Sequence, residues 1–228
     1  MKGLSKERRE KRLLQEISED KLITSKKYNM IMSGAIFYGI ALNALLCVLL
    51  GDAITKISIW AILIPYFVFT IIGVIMTIKS SNPLISFIGY NFVVIPVGVT
   101  LSAVISEYGG LASNIVMEAF VYTAIVTAVM IVLSMMFPDF FSRLGAVLLT
   151  CLIVFIIIQL CGLLFHFTIS IWPWLSAGLF SLYIGYDFYR SQAYLKTVNN
   201  AINSALDLYL DIINLFMDIL EIVAKNKK

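Results

Sequence analysis

Six long apolar runs, at 28–50, 57–78, 84–105, 111–136, 141–165 and 168–186, constrain this chain more than any other feature. Each is long enough to cross the ~30 Å hydrocarbon core of a bilayer, which takes about 20 helical residues. Backbone groups in hydrocarbon must satisfy one another within the segment, so each run is expected to be a helix. A seventh run, 202–224, is long enough but carries four acids, Asp207, Asp211, Asp218 and Glu221. Only 14% of the 228 residues are charged and 60% are hydrophobic, too few polar groups to clothe a water-facing surface. The expected fold class is an all-α membrane protein. It divides into a charged N-terminal tail at 1–27, one transmembrane domain at 28–224 and a basic tail at 225–228.

The charges are segregated. Nine of the 17 Lys and Arg lie in the first 27 residues together with five acids, the pattern of a solvated mixed-charge tail. That tail is half neutralised and lacks aromatic residues interleaved with its cations, so no nucleic-acid partner is expected. It is also too long and too acidic for the first part of a signal peptide, and no small-residue cleavage site follows it. Short links carrying Gly51-Asp52, Asn82-Pro83, Gly109-Gly110 and Pro138-Asp139 make neighbouring helices antiparallel. With alternating sides, the N-terminal side collects 13 cations, the nine of the tail plus Lys79, Arg143, Arg190 and Lys196, and the other side four. The positive-inside rule then places the N-terminus in the cytosol. The basic end Lys225–Lys228 sits uneasily on the far side, so a half-spanning segment seven stays open. Cys47, Cys151 and Cys161 all lie in apolar runs without CxxC spacing, as packing residues do. The sole histidine, His166, falls between runs five and six and cannot build a metal site alone.

Segment seven is the informative one. At about 100° per residue its six polar residues, Asn203, Asp207, Asp211, Asn214, Asp218 and Glu221, fall in a stripe about 80° wide and about 27 Å long. Carboxylates at bilayer depth cost ~2.5–3.5 kcal/mol each on insertion scales, so they persist where they face protein, water or a cation. A helix lying on the membrane surface, or packing on a soluble partner, competes with this reading. Surface helices usually put Lys and Arg on the polar face, whereas every charged residue of this stripe is acidic. Asp187, near the end of run six, precedes Asp211 by 24 residues, with the turn signal Asn199-Asn200 at the midpoint. In an antiparallel hairpin turning there, with helix six running on to about residue 198, the two carboxyls reach similar depth. Two carboxylates in a poorly solvated site do not both ionise readily. Such a pair shares a proton and titrates as a unit.

The stretches Tyr183-Ile184-Gly185-Tyr186-Asp187 and Leu208-Tyr209-Leu210-Asp211-Ile212-Ile213-Asn214-Leu215-Phe216 resemble the Bax inhibitor-1 family. Gly98-Val99-Thr100-Leu101 and Glu118-Ala119-Phe120 are similar to it more weakly. The resemblance implies a seven-transmembrane-helix bundle with helix seven central. It also implies a calcium-permeable, pH-sensitive leak whose sensor matches Asp187 and Asp211. The family places a basic latch just after helix two. Here that position is Ser80, and the nearest cation, Lys79, becomes the candidate latch.

Asp207, Asn214, Asp218, Glu221 and Glu118 are the candidate ion-pathway residues, with Glu118 about two turns into run four. Oxygen ligands suit Ca²⁺, the expected permeant ion, and no cofactor or structural metal is expected. Pro65 and Pro96 are expected to kink their helices, and Asn43, Asn91 and Gln159 to hydrogen-bond between helices. Trp60, Trp172 and Trp174 stand near span ends, as interfacial anchors do. P-loop, GxSxG and HExxH signatures are missing, and so is the Gly-x-Gly-Asp of intramembrane aspartyl proteases, so no enzyme is expected. The expected partners are the lipid bilayer, calcium ions and protons. An alternative is a non-conducting modulator that binds a membrane protease or a cell-death regulator. A cation/proton exchanger would use the same carboxylates. The compact chain without a targeting extension fits a bacterial plasma membrane.

Overall fold

In a computed structural model, residues 22–165 and 169–227 are described, and every regular element among them is a helix. The expectations for His166 and for most of the tail fall outside these residues. In chain order the helices are α1 Ser25–Leu50, a 3₁₀ turn Gly51–Lys56, α2 Ile59–Lys79, α3 Pro83–Glu107 and α4 Asn114–Met136. There follow α5 Pro138–Arg143, α6 Gly145–Phe165, α7 Trp172–Ala193 and α8 Val198–Asn226. By length and composition α1, α2, α3, α4 and α6 suffice to cross a membrane. Polar side chains keep α7 and α8 out of that set.

The boundaries have local causes. Thr24 caps α1, its hydroxyl accepting from the Lys27 N–H at 3.3 Å. Asn82 caps α3 by accepting from the Leu84 N–H at 2.9 Å, and Pro83 occupies the first helical position, as expected from sequence. Gly109 and Gly110, at φ 90° and 80°, make the turn into α4, a backbone region glycine enters without a Cβ clash. The fifth apolar run differs from expectation. Pro138 opens a separate short helix ending at Arg143, and α6 starts only at Gly145. The turn before α8 also comes earlier than Asn199-Asn200. Helix α7 stops at Ala193, and Thr197 is the capping residue, its Oγ1 accepting from the Asn200 N–H at 3.1 Å. Asn199 and Asn200 are therefore helical.

The described chain divides into two compact units. One comprises the described residues up to Ser113 with Ala193–Tyr209, the other the described residues from Asn114 to Gln192 and from Leu210 onward. Helix α8 is continuous across that division, giving its first turns to one unit and its remainder to the other.

In the first unit α3 packs along both α1 and α2. Its polar ties run between helices: Tyr90 Oη donates to the Ala35 carbonyl at 2.7 Å, and Tyr38 Oη to Asn91 Oδ1 at 2.7 Å. Asn43 Nδ2 donates to Tyr209 Oη at 2.6 Å, so two of the three expected amide ties form. Gly98 lets Asn43 lie against α3, since a Cβ there would stand 2.6 Å from Asn43 Oδ1. In the second unit Tyr186 lies against Gly145 and Phe141 against Gly185, seating α7 on α5 and the start of α6.

A carboxylate site on α7 and α8

The second unit holds the two aspartates expected to act together. Both are buried, Asp187 at 8% and Asp211 at 7% relative exposure. A buried carboxylate needs charge or hydrogen-bond compensation. For Asp187 it comes from one turn further along α7, where Arg190 Nη1 meets Asp187 Oδ1 at 2.7 Å. The same guanidinium stands over the Tyr186 ring, 5.1 Å from its centroid, a cation–π contact that fixes its direction. Tyr183, one turn before Asp187, lies within electrostatic range of Asp187, Asp211 and Arg190 together. One phenol on α7 thus marks where the two carboxyls of different helices share a neighbourhood.

Two turns beyond Asp211, Asp218 takes a hydrogen bond from Ser176, a buried hydroxyl near the start of α7. Its Oδ2 is buried with no hydrogen-bond partner. Helices α7 and α8 are therefore linked at Ser176 and Asp218, while Tyr183 and Asp211 lie only within electrostatic range of each other. Lower still, Glu221 pairs with Lys225 at 2.6 Å, with both side chains about half exposed. Glu118, in the second turn of α4, meets Lys227 at 2.6 Å.

The remaining candidates scatter. Asn214 is exposed and folds its amide back on the Leu210 carbonyl at 2.8 Å. Asp207 is half-buried in the first unit, and Lys79 stands exposed in the last turn of α2. Between Val198 and Ala224, Asn214 alone is exposed. Sequence reading missed four contributors. Arg190 could have been found, because Asp187 and Arg190 are spaced i, i+3 on one helix. Tyr183 and Ser176 carry no charge to mark them. Lys227 reaches Glu118 across 109 positions, which no local pattern encodes.

A family model described as inhibitor of apoptosis-promoting Bax1 matches residues 21–228. No curated protein matches the chain. The match covers all of the apolar segments and the Tyr-Asp and Leu-Tyr-Leu-Asp sequences that supply the buried carboxyls, and the chain belongs to the Bax inhibitor-1 family of integral membrane proteins.

Proposed function

We propose that this protein is a pH-sensitive cation leak, with Ca²⁺ as the permeant ion, gated by Asp187 and Asp211. The observation that carries the reading is the burial of both carboxyls, each within electrostatic range of one phenol, Tyr183, with Arg190 ion-paired to Asp187. Charge is costly at this depth, so a proton added to either carboxyl changes what Arg190 and the neighbouring helix are attracted to. A change of one charge in a low-dielectric site is large compared with the few kcal/mol that separate two helix packings. Asp218, Glu221 and Glu118 continue the oxygen-rich course, with Asp207 and Asn214 as further pathway residues and Lys79 as a candidate latch. The membrane is a bacterial plasma membrane with the N-terminus cytosolic, and the protein works without a cofactor and is not an enzyme.

The test is Ca²⁺ flux into proteoliposomes between pH 6 and 8. Wild type is expected to change its flux across that range, and Asp187→Asn and Asp211→Asn to flatten the dependence. Equal profiles in all three proteins would remove the sensor role. A second reading is supported by the family description: the protein restrains another membrane protein without conducting. It predicts no flux from the purified chain and a stable partner in mild detergent.

A further inference from the structure

In the first unit the junction leading into α8 is tied to three other elements by uncharged groups. Asn199 carries both halves of one tie. Ser86 Oγ, fully buried in α3, donates to Asn199 Oδ1 at 2.6 Å, and Asn199 Nδ2 donates to the main-chain carbonyl of Ser80 at 3.2 Å. A second tie runs to the first turn of α1, where Tyr28 Oη donates to the Asn200 carbonyl at 3.3 Å and lies 2.9 Å from Ser204 Oγ. The backbone adds a third, from the Ile23 N–H to the Lys196 carbonyl at 2.8 Å.

Ser80 is the position at which the family resemblance expects a cation. Here the chain offers a carbonyl to an amide instead. The titratable groups on the elements that meet here include Lys79, exposed on α2, Tyr28 on α1, and Lys196 and the buried Tyr194 in the turn. The Lys196 ammonium stands 4.4 Å from the Tyr28 ring centroid, and its burial pushes it below the usual lysine range.

We infer that Asn199 is a positioning residue: a neutral clasp that holds the start of α8 to the α2–α3 junction equally well at every physiological pH. A carboxamide is at once donor and acceptor and does not titrate. The clasp holds the helix that carries Asp211 and leaves proton sensitivity to the carboxyls, and it does not depend on whether the protein conducts.

The substitution Asn199→Asp makes the clasp titratable with a definite sign. A protonated carboxyl supplies a donor and an acceptor, as the amide does. An ionised carboxylate has acceptors only, so it presents no hydrogen to the Ser80 carbonyl. The N199D clasp should close at low pH and open as pH rises through its own titration. Hydrogen exchange by mass spectrometry on the full chain in nanodiscs reads this directly in peptides covering 79–86 and 195–204, with rates corrected for intrinsic pH dependence. Wild type is expected to keep constant protection from pH 5 to 8. Burial at this position raises a carboxyl above its ordinary ~3.9, so N199D should match it at pH 5 and lose about tenfold by pH 8, and N199A should lose protection at both ends. Wild-type protection in N199D across the whole range would overturn the clasp. Should N199D not fold, S86A decides: loss confined to those two peptides supports it, and unchanged protection refutes it. Exchange is read without ion flux, so its outcome is separate from that of the conduction test.

Discussion

At Gly73 an added Cβ would stand 2.5 Å from the Gly89 carbonyl oxygen, and at Gly89 one would stand 2.8 Å from the Gly73 carbonyl. Both obstacles are backbone, which cannot rotate away as a side chain can. Helices α2 and α3 therefore cross with their main chains in contact, the close approach that small residues permit between membrane helices. Gly73→Ala is expected to destabilise the protein by about 1–3 kcal/mol, the usual cost of overpacking. Gly34→Ala, where nothing lies within 4 Å, should be neutral or slightly stabilising. Thermal unfolding midpoints in detergent compare the two, and equal midpoints would mean that α2 and α3 do not meet in this way. The sequence displays all of these glycines alike. Which of them touches anything depends on a helix far away in the chain, so it could not be read beforehand. Arg190 is the opposite case, since its partner lies one turn away on the same helix.

Helix α8 shows how far periodicity carries an element. The about 80° acidic stripe implies one sheltered face. The folded helix is sheltered nearly all round, and its polar residues differ along its length. Asn203 and Asp211 are buried, Asp207, Asp218 and Glu221 are half-buried, and Asn214 is exposed. A surface-lying helix would expose its whole polar face, Asp211 included. Nitroxide labels placed by Asp211→Cys and Asn214→Cys, with Cys47, Cys151 and Cys161 replaced by Ser, separate the two cases. The label at 214 is expected to be mobile and open to paramagnetic quenchers, and that at 211 immobile and shielded. Equal accessibility would put α8 on the bilayer surface. The start of this helix was misplaced by sequence because Asn-Asn is a strong turn signal, yet the hydroxyl of Thr197 captured the cap two residues earlier.

For the whole molecule the open question was whether the last segment crosses the bilayer. Helix α8 has 29 residues, which at ~1.5 Å each exceeds the ~30 Å hydrocarbon thickness. Its far end is engaged, because Lys227 reaches Glu118 near the start of α4, although a half-exposed pair of this kind contributes only ~0–1 kcal/mol. A full crossing is expected to leave the N-terminal tail and the C-terminus on opposite faces. Impermeant labelling of single cysteines introduced at Lys2 and at Asn226, in inside-out and right-side-out vesicles, checks this. Labelling of both from the same side would make α8 re-entrant.

Hydropathy over windows of about 20 residues determined that the chain is helical and membrane-embedded, because hydrocarbon admits only segments that satisfy their own backbone. A short local run also singled out Asp187 and Asp211, both of which the fold buries. Tertiary structure alone decided which polar atoms face one another: Tyr183 near both carboxyls, Ser176 on Asp218, Asn199 between Ser80 and Ser86. The reason is that side-chain pairing between helices depends on their rotation and axial offset. Those are set by close contacts such as Gly73 with Gly89, which involve residues distant in sequence and leave no periodic trace in it.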